Sequence, residues 1–202
     1  AFAILQRMLD GRTLSAVKLG VAETAELNAA ARRHQLSLNT IAQGAWCILL
    51  SRYSGERDVV FGTTVAGRPA ELRGVEQMVG LFINTLPVRV RINESERVSE
   101  WLSGLQAELI KMRRYEHSPL IEVAKWSEMP RGIPLFESVL VFENHPTHAS
   151  FGEQIKQSTG LEVLEFKVHE RGNDSLSVVV YPEQELQLKI GYEHEQFDDK
   201  TI

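Results

Sequence analysis

Cysteine is nearly missing from this sequence: Cys47 is the single example in 202 residues. One thiol excludes an internal disulfide and any cysteine-built metal site. Its surroundings, IAQGAWCILL, form an apolar helical stretch, so Cys47 reads as a small buried hydrophobe and not as a nucleophile. Long apolar runs are absent as well, and nothing approaches the ~20 residues that span a bilayer. No basic, apolar and small-residue leader opens the sequence. Clustered positive charge is also lacking: the net charge is −5, and the 22 lysines and arginines are scattered. The two RR pairs, at 32–33 and 113–114, each fall inside a helical pattern. A nucleic-acid surface needs a basic face, so neither nucleic acid nor membrane is an expected partner. These absences fit a cytoplasmic protein.

Catalytic signatures are scarce too. The chain has no G-x-S-x-G elbow, G-x-G-x-x-G turn or P-loop. Of six histidines, His145 and His148 make an H-x-x-H, but in a proline-containing loop without a third ligand, so they read as surface groups. His169 sits at a strand end. His194 precedes Asp198 by four residues, a spacing that invites a general base, but Asp198 reads better as the N-cap of a helix beginning in FDDKTI. Carboxylate pairs such as Glu183 and Glu185 fall in turns. Judged on catalytic groups alone, the sequence looks inert.

What is present is a well-patterned globular chain, 43% hydrophobic and 24% charged, long enough for one good core or two small ones. Residues 21–35 place Leu27, Ala30 and Ala31 on one side of an amphipathic helix. SLNT then offers Asn39 or Thr40 as an N-cap. Ile41, Ala45, Ile48, Leu49 and Arg52 follow at helical spacing, and Gly55 supplies the stop. DVVFGTTVAG is β-rich and exits through Gly-Arg-Pro at 67–69. In MVGLFINTLPVRVRI, residues 78–92, the alternation puts Leu86, Val88, Val90 and Ile92 on a core face with Arg89 and Arg91 outward. Trp101, Leu105, Leu109 and Met112 mark a long helix with Ser99 as its cap. PLIEVAKW reads as a short helix with Pro119 at its first turn.

From residue 136 the period becomes two. FESVLVFEN is an apolar run suited to a strand buried on both faces. LEVLEFKV slips once, at Val163 and Leu164, which suggests a bulge. LSVVVYPEQELQLKIGYE reads as two strands around a Pro-Glu-Gln turn, the second carrying Leu186, Leu188, Ile190 and Tyr192 on one face. The expected class is α/β, a mixed sheet flanked by helices. The polar connection at 145–160 is long enough to suggest a functional loop.

Four stretches stand in fixed order: VAGRP at 65–69, GLFINTLPVRV at 80–90, YEHSPLIEV at 115–123 and PLFESVLVFEN at 134–144. In this register they resemble the C-terminal half of the condensation domain of nonribosomal peptide synthetases, and the resemblance extends over residues 15–202. It implies one chloramphenicol-acetyltransferase-like lobe of a two-lobed domain, with residues 1–14 as an interlobe linker and cut end. The family's tandem-histidine motif, H-H-x-x-x-D-G, has no counterpart in this chain and belongs to the N-terminal lobe, so no catalytic residue is expected here.

The resemblance implies tunnel or cleft positions at Arg68, Gly80, Asn84, Thr85 and Asn144, with residues 145–160 crossing to the partner lobe. Arg68 would lie on the floor of the active site and pair with the aspartate of the histidine motif. For Asn84 two readings stand open, and both can hold together: it satisfies local backbone groups in a turn, and it contacts the pantetheine tunnel. His117 departs from the commoner family pattern, and the plainer reading is that Pro119 starts a helix while Leu120 packs inward. The implied partners are the missing N-terminal lobe and the donor and acceptor peptidyl carrier proteins. Their phosphopantetheine arms bring the thioesters, with no cofactor or metal bound directly. Other readings are an acyltransferase with an alcohol acceptor, an epimerising relative, or a non-catalytic docking scaffold.

Overall fold

Strand alternation at 84–91 is realised as expected, and the rest of the molecule can be built outward from it. The computed structural model describes residues 12–68, 72–130, 132–143, 156–161, 175–193 and 195–197. Strand β3 (Asn84–Arg91) buries Leu86, Val88 and Val90 and exposes Arg89 and Arg91. It pairs antiparallel with β2 (Asp58–Val65), from Asp58 opposite Arg91 to Val65 opposite Asn84. Pro87 lies on this outer strand, where a missing N–H disturbs the ladder least.

On the other side of β2 runs β4 (Ser138–Phe142), parallel to it and to β5 (Leu176–Tyr181). Ser138, Val139 and Leu140 are all buried, in keeping with the unbroken apolar run read for this strand. Strand β6 (Gln187–Glu193) returns antiparallel to β5. The far edge is β1 (Arg12–Lys18), antiparallel to β6, giving the order β1-β6-β5-β4-β2-β3. The sequence reading had no strand there, and β1 crosses the 14/15 position taken as the lobe boundary. Its RTLSAVK composition carries little periodic signal, and its ladder is supplied by a segment about 170 residues away.

Helix α1 (Val21–Arg33) and helix α2 (Leu38–Ser54) precede β2, while α3 (Val98–Met112) follows β3. The short α4 (Leu120–Trp126) comes next, with Pro119 at its N-cap position. Three of the four strands expected after it are β4, β5 and β6; the fourth, expected at 161–168, lies outside the described residues apart from Leu161.

Two cap assignments need correction. Ser37, not Asn39 or Thr40, caps α2: its side chain accepts from the Thr40 amide at 3.0 Å. Arg97 stands at the cap position of α3, and Ser99 lies inside the helix, where its carbonyl accepts from the Ser103 hydroxyl. Gly55 ends α2 in the left-handed conformation, as read. The buried stripe of α2 is Thr40, Gln43, Gly44, Trp46 and Cys47, while Ala45, Ile48 and Leu49 are exposed. Gly44 is the cause: having no side chain, it lets Leu102 and Trp101 of α3 close onto that face.

The core joins Trp46 and Cys47 to Phe61, Val88, Trp101, Leu102, Leu140 and Val180. Gln106 on α3 ties the helices at their open end. Its Oε1 accepts from the Ser37 amide at 2.8 Å and the Thr40 hydroxyl at 3.0 Å, and its Nε2 donates to the Gln35 carbonyl at 2.8 Å. Thr24 does the same for α1, its hydroxyl accepting from the Leu186 amide at 3.0 Å.

Candidate functional site

Eighteen residues, 66–83, separate β2 from its hairpin partner β3, far more than a tight turn requires. The described part of this loop is folded back on itself by one glycine and one arginine. Gly67 has φ +61, and a Cβ there would lie 1.9 Å from the Phe82 carbonyl oxygen, so only glycine allows the two backbones to approach this closely. The Arg68 guanidinium then reaches across the loop. Nη1 donates to the Val75 carbonyl and Nη2 to the Met78 carbonyl, the latter at 3.1 Å. Its Cζ lies 4.2 Å from the centroid of the Phe82 ring, a cation–π contact. Val75 begins a single 3-10 turn, Val75–Gln77, and is buried beneath it.

Gly80 is exposed beside the same ring, where a Cβ would stand 3.3 Å from Phe82 Cε2. Phe82 is therefore the hub of this loop, through its ring and its carbonyl. In the sequence it is one apolar residue of GLFINT among others. Its only available signal was the spacing of two residues before Asn84.

At the start of β3, Asn84 turns its carboxamide inward. Nδ2 donates to the Glu116 carbonyl at 2.9 Å and the Ser118 carbonyl at 2.7 Å, while Oδ1 accepts from the Thr85 amide at 3.0 Å. The edge strand is thereby bound to the turn between the 3-10 segment Arg113–Tyr115 and α4. Thr85 is half-buried opposite Thr64. His117 lies between the two bound carbonyls and its side chain is exposed. Arg68, Gly80, Asn84 and Thr85 thus share one rim along the loop and the head of β3. Asn144, His145, His148, His169, His194 and Asp198 lie outside the described residues, as do the expected bulge at 163–164 and the 145–155 part of the expected crossing segment.

The rim is apolar at its surface. Val79 is fully exposed, Leu81 is 90% exposed, and Ile83 precedes Asn84 with its side chain outward. Ile121 and Trp126 of α4 are also exposed. No group of histidine, cysteine, aspartate and glutamate among the described residues could hold a metal ion. Burial pushes the Cys47 thiol up to about 12, which keeps it protonated and inert. No described helix is long and apolar enough to cross a membrane. The arrangement offers shape, the partly committed guanidinium of Arg68, and apolar surface, with the exposed His117 beside it and, among the described residues, no cluster that could hold a metal.

A mixed six-stranded sheet flanked by helices is the fold found in synthetase condensation domains, which are chloramphenicol-acetyltransferase-like. The first condensation domain of the calcium-dependent antibiotic synthetase, solved with a substrate analogue, superposes with a TM-score of 0.68 at 14% identity, over 93% of this chain and 40% of that one. A four-domain nonribosomal peptide synthetase bound to AMP and glycine superposes with a TM-score of 0.79 at 17% identity, covering 94% of this chain and 15% of that one. The chain belongs to the Condensation domain family, whose model matches residues 5–202. Among curated proteins, one of the polypeptides of linear gramicidin synthase from Brevibacillus parabrevis is 47% identical over 187 residues, 92% of this chain and 2% of that protein. Another polypeptide of the same synthase is 44% identical over 196 residues, 96% of this chain and 4% of that protein. The chain therefore spans a small fraction of these relatives and well under half of a solved condensation domain.

Proposed function

We propose that residues 15–202 are the C-terminal lobe of a condensation domain that forms amide bonds between carrier-bound thioesters in nonribosomal peptide synthesis. The observation that carries this reading is the family match over residues 5–202 on a chain that covers 40% of a solved condensation domain and whose sequence contains no His-His pair. In such a reaction the acceptor's amine nitrogen attacks the donor's thioester carbonyl carbon. The carbon–sulfur bond breaks, the phosphopantetheine thiolate leaves, and the proton lost by nitrogen ends on sulfur or solvent. This lobe contributes a wall of the tunnel that aligns the two arms, and alignment alone can supply roughly 7–11 kcal/mol at best. The N-terminal lobe contributes the histidine that handles the proton.

Arg68, Gly80, Asn84, Thr85 and Asn144 mark the cleft side of the lobe in this reading. Arg68 carries five N–H donors, of which the Val75 and Met78 carbonyls take two. It can therefore brace its own loop and still bind a carboxylate of the opposing lobe. The phosphopantetheine arms arrive as part of the carrier-protein substrates, whose docking surface this lobe shares. Mass spectrometry of a reaction containing the complete polypeptide, a donor acyl carrier and an acceptor aminoacyl carrier tests the proposal. An amide on the acceptor arm is expected, with none from the 202-residue chain alone. An ester formed with a hydroxyl acceptor, or no transfer at all, would replace it with an alcohol acyltransferase or a docking scaffold.

A further inference from the structure

The carboxamide of Asn84 has no free donor. Both Nδ2 hydrogens are directed at carbonyls, those of Glu116 and Ser118, and Oδ1 already holds the Thr85 amide. A primary amide has two N–H donors in all, so a hydrogen bond from Asn84 to a substrate arm would release one backbone carbonyl in a half-buried setting. The two carbonyls flank His117, and Ser118 is followed directly by the N-cap of α4. Whatever fixes them fixes where the exposed His117 and Ile121 stand relative to the head of β3. No other side chain–backbone hydrogen bond among the described residues joins β3 to this turn.

We propose that Asn84 is a positioning residue: it acts on the cleft through the 116–118 turn and α4, and does not itself contact the thioester arm. The inference deepens the condensation reading and rests on it for the cleft; the brace itself stands on the hydrogen bonds alone. It favours the first of the two readings left open by the sequence, in which Asn84 satisfies backbone groups.

Asn84→Asp separates the possibilities. The substitution keeps the shape and the Oδ1 acceptor but replaces two donors with an oxygen that faces two carbonyl oxygens. The ionised form is disfavoured there, so the introduced carboxyl titrates above the usual range near 4. Once protonated it donates one O–H and restores one of the two bonds. Hydrogen exchange, corrected for intrinsic rates, is followed at the amides of residues 118–123 in the complete polypeptide. Near pH 8 the variant should exchange about ten-fold faster than the parent there. At about pH 5 part of that difference should disappear, read as the variant's change beyond the parent's own over the same range, because the turn itself carries Glu116 and His117. Turnover should fall together with the loosening of the turn and recover with it.

Unchanged exchange in the variant, with KM for the carrier-bound substrate raised, would overturn the proposal in favour of direct contact. Unchanged exchange and unchanged kinetics would overturn both roles. Should the variant fail to fold, NMR of the parent decides: two slowly exchanging Asn84 side-chain protons are expected, and a rapidly exchanging pair contradicts the brace. A parent polypeptide that condenses nothing would remove the proposed function yet leave the exchange result standing, so the two failures are distinguishable.

Discussion

Asp58 sits at the outer corner of the sheet, directly across the ladder from Arg91 and diagonal to Arg89. Arg89 grips its carboxylate through Nε at 2.8 Å and Nη2 at 2.9 Å, and Arg91 adds Nε at 2.9 Å. These charge-assisted bonds, Arg89's first and Arg91's second, draw the Asp58 carboxyl down to about 2. A carboxylate whose folded pKa lies below its ordinary value near 3.8 stabilises the fold fully above that value and loses the effect as pH falls through about 2. Both arginines are exposed, so salt weakens the effect. Asp58→Asn should therefore lower Tm near neutral pH by leaving two guanidinium groups side by side on an edge strand. The gap to the parent should narrow as pH approaches 2 and as salt is raised. A gap independent of both would mean the cluster contributes packing and no charge. Single residues of this kind were only half legible in the sequence. Outward arginines followed from alternation, but which acid lies opposite depends on a pairing across 18 intervening loop residues. Asn84 shows the same limit: its polarity at a strand start was visible, whereas the Glu116 and Ser118 carbonyls it binds are more than 30 positions away.

Between elements, the crossing of α2 over α3 turns on Gly44. A Cβ at this position would lie 2.3 Å from Leu102 Cδ2 and 3.2 Å from Trp101 Cζ3. The leucine methyl can swing aside, but the indole is held by its Nε1 donating to the Arg91 carbonyl at 3.2 Å. Overpacking of this sort costs about 1–3 kcal/mol, against about 1 kcal/mol gained from better helix propensity. Gly44→Ala should thus be neutral to destabilising, by up to about 2 kcal/mol. Gly104→Ala provides the control, because nothing lies within 4 Å of its would-be Cβ on α3. It should stabilise by about 0.5–1 kcal/mol. Urea unfolding with unchanged m-values checks both, and equal shifts at the two sites would contradict the packing argument. The helix α3 itself was legible because four large apolar residues repeat on one face. Helix α2 was legible in extent but not in orientation: it is apolar nearly all round, and a glycine, not the larger residues, selects its buried face. Its cap was misplaced because SLNT contains three competent residues, and only the final backbone path picks Ser37. Strand β1 left no periodic trace, since an edge strand of Arg, Ser and Lys takes its structure from its neighbour.

At the scale of the whole molecule, the order of strands was not readable from one sequence, because parallel β2-β4 and β4-β5 pairings join segments separated by long connections. What was readable is the consequence of being one part of a larger domain. The chain covers 40% of a solved condensation domain, and its rim exposes Val79, Leu81, Ile83, Ile121 and Trp126. Each large apolar side chain taken from water is worth about 1.5–3 kcal/mol. An apolar rim of several such residues on an isolated chain has a ready partner in a second copy. The 202-residue chain prepared alone should therefore associate reversibly in sedimentation velocity, with a weight-average coefficient that rises with concentration. Apolar contact is not screened by ions, so raising salt should leave the association intact or strengthen it. Val79→Ser with Leu81→Ser should shift it toward monomer without changing Tm, since neither side chain packs into the core. Loss of association in high salt would instead assign it to charge on the Arg89 and Arg91 edge. A monodisperse monomer at every concentration would mean that the rim is too small or too irregular to drive contact by itself. In that case the opposing lobe of the proposed reading would have to be held by the covalent chain and by charge, with Arg68 as the contact to test first.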